Sequence, residues 1–263
     1  MPASPISFIR QIPHGLFSLL FPDECRICGA ALPQITRVPV CNACLRRPEP
    51  LSAEYFCSDC RTPFLNAFPL DDKGRCALCR SGLRGFDAAY CFGEYEGGLR
   101  QLIHLFKYGR MKPLGKPLSA YLAAALPRDQ QFDAVIPVPL HWRRAWSRGF
   151  NQSGLLARAM ARRSGIPMLN ALVRARATET QAGLTHSARR RNVANAFRLK
   201  RRRSVEGMRI LLVDDVMTTG ATGSACAFAL KRAGAKSVAL LTLARVDRRL
   251  TAAGADTKLS GAF

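Results

Sequence analysis

The apolar positions of the chain follow two alternating patterns. Short, nearly continuous apolar runs occupy Ala88–Tyr95, Asp133–Val138, Arg209–Asp214 and Ser237–Ala244. Runs of this length predict strands that are buried on both faces, as in a parallel sheet. Between the runs, apolar residues recur three or four positions apart, which is typical of amphipathic helices.

The predicted helices are Gly98–Tyr108, Pro113–Leu126, Ser153–Ser164 and 222–233. Pro127, Gly165 and Gly234 follow three of them and are typical helix stops. Strands that alternate with helices predict an α/β fold with a parallel sheet. Ligands of such sheets bind at the carboxyl ends of the strands, which is where candidate chemistry should be sought.

The third strand leads into the most informative stretch of the sequence, residues 209–222. Asp214 and Asp215 follow its apolar run and are placed to accept hydrogen bonds from two vicinal sugar hydroxyls. Four small residues after them offer hydroxyls and approachable amides at a helix N-terminus, a natural seat for a phosphate. Together these groups describe a ribose 5-phosphate site. The alternative is an ordinary strand–loop–helix connection whose acids only cap the helix.

This stretch resembles the phosphoribosyl-diphosphate (PRPP) signature of type I phosphoribosyltransferases: an apolar strand, two acids and a Thr-Thr-Gly-x-Thr loop. The resemblance implies the parallel-sheet fold of that family. It also implies that Asp214 and Asp215 bind the ribose of PRPP. The 5-phosphate would be bound by Met217, Thr218, Thr219, Gly220, Ala221 and Thr222. Bound PRPP in turn implies Mg²⁺, because a hard cation offsets the charge of the diphosphate.

A second group of polar residues follows the strand that ends near Val138. Its members are Arg143, Arg144, Arg148, Gly149, Asn151 and Gln152. The arginines are placed to neutralise a diphosphate, the glycine permits close backbone approach, and the amides can orient a ligand or cap the next helix. The alternative is a solvated basic turn with Trp142 and Trp146 packed on the protein.

Eight of the ten cysteines form four Cys-x-x-Cys pairs: Cys25/Cys28, Cys41/Cys44, Cys57/Cys60 and Cys76/Cys79. Two such pairs complete a tetrahedral four-thiolate site, which favours zinc, so the sequence predicts two zinc ribbons. Gly29 suits a tight turn with positive φ. Sequential pairing is simpler than a crossed arrangement, but both are open. Disulfides and iron–sulfur ligation are the alternatives to zinc, and a reducing cytoplasm argues against disulfides.

The combination of motifs resembles the ComF family, in which a cysteine-rich zinc module precedes a type I phosphoribosyltransferase domain. Arg-Gly-Phe-Asn-Gln at 148–152 is similar to a motif of that family. The resemblance implies a diphosphate loop at Pro137, Val138, Pro139 and Leu140. It also implies a mobile loop over 174–197 that includes Arg174, Arg176, Thr180, Gln181, Arg189, Arg191 and Asn192. The expected organisation is an apolar segment at 1–21, a double zinc ribbon at 22–80, the transferase-like domain at 86–246 and a disordered tail at 247–263.

The positive charge of the chain is concentrated in its second part. The formal charge is +22; residues 1–80 hold nine Lys/Arg against seven Asp/Glu, and residues 81–263 hold 31 against 11. Any polyanion should therefore contact the C-terminal domain. No apolar segment approaches the roughly 20 residues needed to cross a membrane, and the apolar N-terminal stretch lacks a leader-type cleavage site. We expect a cytoplasmic protein.

Two functions are consistent with these features. One is a PRPP-binding protein of DNA uptake, the process with which the ComF family is linked. Such a protein would handle single-stranded DNA through basic residues such as Lys200–Arg203 beside Phe197. The other is an active phosphoribosyltransferase, in which case the Arg-rich loop would exclude water from the reacting sugar. The sequence contains no recognisable motif for an acceptor base. A solvated basic face without a partner is the alternative to DNA binding.

Overall fold

The computed structural model describes residues 24–33, 37–64, 66–80, 85–140, 149–174 and 196–246. In chain order its elements are α1 (Asn42–Arg46), β1 (Tyr55–Phe56), β2 (Pro63–Phe64), α2 (Ala77–Arg80), β3 (Ala88–Glu94), α3 (Gly97–Tyr108), a 3₁₀ turn (Lys112–Leu114), α4 (Gly115–Ala125), β4 (Ala134–Pro137), α5 (Gln152–Ser164), β5 (Leu172–Arg174), β6 (Phe197–Leu199), β7 (Arg209–Met217), α6 (Ala221–Arg232) and β8 (Ser237–Arg245). The expected apolar segment at 1–21 and tail at 247–263 lie outside the described residues.

The four predicted strands form one parallel sheet in the order β3-β8-β7-β4, which confirms the predicted fold class. The predicted end of the third strand at Asp214 is wrong by three residues. Strand β7 continues to Met217 because β8 keeps pairing with it as far as Arg245. The shorter strand β4 stops at Pro137, opposite Val213. Asp214 and Asp215 therefore lie inside β7 but beyond the end of the neighbouring strand β4.

Each face of the sheet carries its own hydrophobic core, because successive side chains of a strand point to opposite faces. Ile210 and Leu212 pack on one side with α6 and the β5–β6 pair. Leu211 and Val213 pack on the other side with α3, α4 and α5. All four are fully buried, and burial of each such side chain contributes about 1.5–3 kcal/mol. This packing fixes the level of the residues that follow in β7.

The short antiparallel pair β5–β6 was not expected from the sequence. Leu172 pairs with Leu199, and Arg174 pairs with Phe197. Three residues are too few to show a strand period, and the predicted loop 174–197 shares only its first and last residues with the two strands. The pair closes the base of that loop, whose residues 175–195 are outside the described part of the chain.

The two cysteine-rich units pack against opposite faces of the sheet. Cys57, Cys60, Cys76 and Cys79 belong to the core that contains α6, whereas Cys25 and Cys44 belong to the core that contains α3 to α5. The segment that joins the units follows the edge strand β3, where Leu51 N donates to Phe92 O at 2.6 Å. A Cβ at Gly93 would lie 2.7 Å from Glu49 O, so this approach requires glycine. The segment thus covers a sheet edge that would otherwise be open to pairing.

Candidate functional site

A cavity of about 250 Å³ lies at the carboxyl ends of β4 and β7. Its walls come from these strands, from the N-terminal ends of α5 and α6, and from the end of β5. Parallel sheets bind ligands at this edge. The predicted PRPP residues Asp214, Asp215 and 217–222 all line it, so the structure brings the two halves of the predicted ribose 5-phosphate site together.

Asp214 is held in place by two hydrogen bonds to one oxygen. Ser153 Oγ, on the first turn of α5, donates to Asp214 Oδ1 at 2.7 Å. The backbone N–H of Asp215 donates to the same oxygen at 2.9 Å. Burial and the neighbouring Asp215 charge raise the pKa of Asp214 to about 7. The other oxygen of this carboxyl group remains to accept from a ligand hydroxyl.

Sequence reasoning missed Lys107, which supplies a positive charge inside the cavity. Its Nζ lies 2.8 Å from Asp215 Oδ1, and both side chains are largely buried. Burial alone would lower the pKa of Lys107, but the Asp215 carboxylate raises it. A signal existed in the sequence: Lys107 follows Ile103 by four positions and so falls on the buried stripe of α3. A lysine on such a stripe requires an acidic partner.

The loop between β7 and α6 has the geometry expected of a phosphate seat. Gly220 adopts φ +77°, a conformation that favours glycine, and Thr219 Oγ1 accepts a hydrogen bond from Ala221 N at 3.2 Å. Helix α6 begins at Ala221, so its positive dipole end faces the cavity. A Cβ at Gly223 would lie 2.7 Å from a Leu240 methyl group. The first turn of α6 can thus lie close to the sheet and present its amides at the level of Asp215.

The predicted diphosphate loop forms another wall of the cavity. Val138, Pro139 and Leu140 line it, while Pro137 is the last residue of β4 and Gly149 adopts φ +74° ahead of α5. Asn151 Nδ2 donates to Val138 O at 3.3 Å and so supports the loop from below. Arg143, Arg144 and Arg148, with Trp142 and Trp146, lie outside the described residues.

Gln152 is a buried polar side chain on this wall. It is 1% exposed, it lines the cavity, and its Nε2 has no hydrogen-bond partner among the described residues. A buried amide without a partner costs about 1–3 kcal/mol. A ligand oxygen in the cavity would remove that cost, so Gln152 points to an anionic or hydroxylated ligand.

The base of the predicted mobile loop reaches the cavity through Arg174, which lines it. The Arg174 guanidinium lies over the Phe197 ring, 5.3 Å from the centroid, and this stacking holds the arginine at the cavity wall. The remaining predicted loop residues Arg176, Thr180, Gln181, Arg189, Arg191 and Asn192 lie outside the described part of the chain.

The eight paired cysteines form two separate clusters, and the sequential pairing is confirmed. The first cluster is Cys25, Cys28, Cys41 and Cys44; the second cluster is Cys57, Cys60, Cys76 and Cys79. Within each, the sulfur atoms lie within 4.8 Å of one another. The predicted positive φ of Gly29 is also observed, at +73°.

The sulfur spacing fits one metal ion in each cluster. The pairs Cys28–Cys41, Cys57–Cys79 and Cys60–Cys76 have Sγ–Sγ distances of 3.7 Å. A tetrahedral ion with Zn–S bonds of about 2.3 Å places its sulfur ligands about 3.8 Å apart. A disulfide would bring two sulfurs to about 2.05 Å, and all ten cysteines are free. A multinuclear iron–sulfur cluster would hold the thiolates further apart, with several metal ions between them.

The basic residues Lys200–Arg203 follow β6 and precede β7. Lys200 N donates to Ala171 O at 2.7 Å, below the start of β5, and Arg201, Arg202 and Arg203 are exposed. The chain then enters β7 at Arg209, whereas the cavity lies at the other end of that strand. Along β7 the step from Arg209 to Asp214, the first cavity residue of that strand, spans about 16 Å, and the step from Ala171 to the cavity-lining Arg174 spans about 10 Å. The last turns of α5 and α6 also carry Lys and Arg side chains.

None of the helices in the described ranges combines the length and apolar character needed to cross a membrane.

Sequence comparison relates the chain to a known domain family and to named proteins. A family model of the phosphoribosyl transferase domain matches residues 151–258. The DNA utilization protein YhgH of Escherichia coli (strain K12) is 32% identical over 235 residues, which cover 86% of this chain and 99% of that protein. Competence protein F of Haemophilus influenzae is 35% identical over 178 residues, covering 65% and 78%. Competence protein ComFC of Bacillus subtilis is 30% identical over 246 residues, covering 90% and 91%.

Proposed function

Because the chain belongs to the ComF family and carries its phosphoribosyltransferase domain, we propose that it is a PRPP-binding protein of DNA uptake or utilization. In this proposal the cavity binds PRPP together with Mg²⁺, and a separate basic surface handles single-stranded DNA. The observation that carries the first half is the placement of two carboxylates beside a glycine-containing helix N-terminus in one cavity. Acceptors for two hydroxyls and donors for a phosphate then face the same space.

Each part of PRPP has a matching group in the cavity. Ribose hydroxyls donate to Asp214 and Asp215, and the 5-phosphate accepts hydrogen bonds from the 218–222 loop at the N-terminus of α6. The diphosphate lies against the backbone of Val138 to Leu140, where Gln152 Nε2 gains an acceptor. Mg²⁺, when bound with the ligand, would offset the diphosphate charge.

The proposal for DNA rests on charge and position. Lys200–Arg203 provide four cations in one turn, of which three are exposed, and such a cluster attracts a phosphate backbone. None of these four residues lines the cavity. A single strand on the basic surface can therefore leave the cavity open, so that both ligands bind at once.

We also propose that each cysteine cluster holds one zinc ion. The spacing of the sulfur atoms fits a tetrahedral ion, and four thiolates favour zinc. A unit with strands of two residues, such as the β1–β2 pair, buries little surface alone, so metal binding should supply much of its folding free energy. A reducing cytoplasm, where we place the protein, keeps such cysteines available as ligands.

A second candidate function is transfer of ribose 5-phosphate from PRPP to a nucleobase-like acceptor. The observation that favours it is Arg174, which fixes the base of the adjacent loop at the cavity wall. A loop anchored there can cover the cavity and exclude water from a reacting sugar. Incubation with PRPP, Mg²⁺ and a panel of bases tests this function, because one base should then release diphosphate.

Calorimetry with PRPP and Mg²⁺ tests the proposed binding directly. The wild-type, metal-loaded chain should bind, and the Asp214→Asn/Asp215→Asn double variant should lose measurable affinity while its thermal unfolding remains cooperative. Absence of binding to the wild type at millimolar PRPP would remove the proposal. Binding without diphosphate release from any base would favour the DNA-linked function over the transferase.

A further inference from the structure

We propose that Arg245 is the internal counter-charge of the second cluster, and that it couples metal binding at this cluster to the strand ends that carry the phosphate loop. Arg245 is the last residue of β8. Nothing in its sequence context marks it as special, since it follows an apolar run and precedes further charged residues. The structure gives it a position unlike that of other arginines.

The Arg245 side chain is buried against the second cysteine-rich unit. It is 2% exposed and is among the largest fully buried side chains of the described residues. Its Nη1 donates to Cys60 O at 3.0 Å, and its Nη2 donates to Thr62 Oγ1 at 2.5 Å. Thr62 Oγ1 in turn lies 2.8 Å from Cys60 Sγ. One hydroxyl group therefore separates the guanidinium from a metal ligand.

A buried guanidinium needs a negative partner, because an uncompensated buried charge costs several kcal/mol. The ion pairs within the described ranges use Arg75, Lys107, Arg209 and Lys231, and none of them uses Arg245. A zinc ion with four thiolates carries a net charge of −2. The second cluster can therefore provide the charge that Arg245 lacks, and Arg245 halves the charge that the cluster would otherwise bury.

The two clusters differ in a way that explains why only one requires this partner. All four cysteines of the second cluster are buried, at 0–6% exposure. In the first cluster, Cys28 is exposed and Cys41 is partly exposed. Water and salt can screen the charge of the first cluster, but they have little access to the second. An internal cation is thus needed at the second cluster only.

The backbone of Arg245 connects this charge to the cavity. In the sheet register Arg245 lies opposite Met217, and Val246 N donates to Met217 O at 3.1 Å. On the other side, Tyr95 N donates to Arg245 O at 2.7 Å. Met217 and Tyr95 both line the cavity, and Met217 directly precedes the 218–222 loop. Loss of the metal would release the Arg245 side chain and loosen the strand ends on which the loop stands.

Zinc release from the full chain tests the counter-charge. Arg245→Met keeps an apolar stem and removes the charge; Arg61→Met, at an exposed arginine of the same unit, is the matched control. Transfer of zinc to a chromogenic chelator should become about tenfold faster for one of two equivalents in Arg245→Met, the loss expected for one charge-assisted hydrogen bond. The second zinc equivalent of Arg245→Met should be released at the wild-type rate, and so should both zinc equivalents of Arg61→Met. Unchanged release from folded Arg245→Met would overturn the proposal.

If Arg245→Met does not fold, Arg245→Lys decides the question, because it retains the charge. It should fold and hold two zinc ions, and failure of this variant as well would show that Arg245 acts through its shape and not its charge.

The link to the cavity is tested separately by hydrogen exchange. Amides of 215–222 should exchange faster in zinc-loaded Arg245→Met, or in Arg245→Lys stripped of zinc, than in loaded wild type, and equal exchange would refute the coupling. This readout uses no PRPP, so it stands even if the proposed ligand is wrong.

Discussion

Lys107 Nζ and Asp215 Oδ1 lie 2.8 Å apart, and the two side chains are only 13% and 12% exposed. The pair joins α3 to the middle of the cavity wall. Without the lysine, two adjacent carboxyl groups would share one buried site with no positive charge beside them. The lysine offsets this charge and holds Asp215 at the cavity wall beside Asp214, so that both can face a sugar.

Replacement of Lys107 by methionine should therefore weaken both the fold and the site. Loss of one partner from a buried ion pair costs about 3–5 kcal/mol, and the midpoint of urea unfolding should fall accordingly. PRPP affinity, measured by calorimetry, should fall at least about tenfold because the cavity loses the cation that holds Asp215 in place. Lys116→Met removes the same charge from an exposed position on α4 and should change neither quantity. Wild-type affinity in a folded Lys107→Met variant would contradict this role.

The sequence alone was sufficient to predict those parts of the molecule that local patterns determine. The apolar runs located all four strands of the main sheet, and the Cys-x-x-Cys spacing located both clusters. Asp214, Asp215 and the 218–222 loop could be placed at one end of the sheet because they follow an apolar strand directly, and they line the cavity there. Each of these features is encoded within a short stretch of the chain, the longest being the second cluster at residues 57–79.

The remaining features depend on contacts between distant residues. Lys107 is 108 positions from Asp215, and Arg245 is 185 positions from Cys60. The extension of β7 to Met217 is decided by its partner β8 and not by its own composition. A sequence window contains no information on which strand will be the neighbour, so these positions become visible only in the folded chain.

The raised pKa of Asp214 predicts that stability falls as pH rises. The folded value is about 7, whereas an unfolded aspartate has a pKa of about 3.9. Between these values the folded state holds a proton that the unfolded state has lost, so stability is greatest below pH 4 and declines until pH 7. The cavity admits water, so we expect a loss of the order of 2 kcal/mol from this group. Urea unfolding at pH 5 to 8 should show a smaller decline in Asp214→Asn, and parallel curves would contradict the assignment.

Two pairs of cysteine substitutions test the metal clusters. Cys28→Ser/Cys41→Ser removes two ligands of the first cluster only, so it should retain one zinc per chain by mass spectrometry of the metal. Cys28→Ser/Cys60→Ser removes one ligand from each cluster, so it should retain no zinc that resists removal by a chelator. Cys91→Ala, at a cysteine outside both clusters, should retain two. Loss of both ions from the first variant would mean that the clusters do not bind metal independently.

Neutralising Lys200–Arg203 should affect DNA and leave PRPP untouched, because none of these four residues lines the cavity. Replacement of all four by glutamine should weaken binding of single-stranded DNA. The slope of log K against log salt should also decrease by up to about 3, since each phosphate contact to a single strand contributes about 0.7. The control replaces four exposed cations of the cysteine-rich units, Arg26, Arg37, Arg46 and Lys73, and should keep the wild-type slope.

The converse variant completes this test of two separate sites. Asp214→Asn/Asp215→Asn should lose PRPP and retain DNA binding with an unchanged salt slope. Saturating PRPP should likewise leave the DNA affinity of the wild type unchanged within about twofold, because neither ligand covers the site of the other. Direct competition between PRPP and DNA would place the nucleic acid at the cavity. Arg174 and the other arginines of the predicted 174–197 loop would then bind the DNA phosphates. Lys200–Arg203 would in that case be a solvated surface.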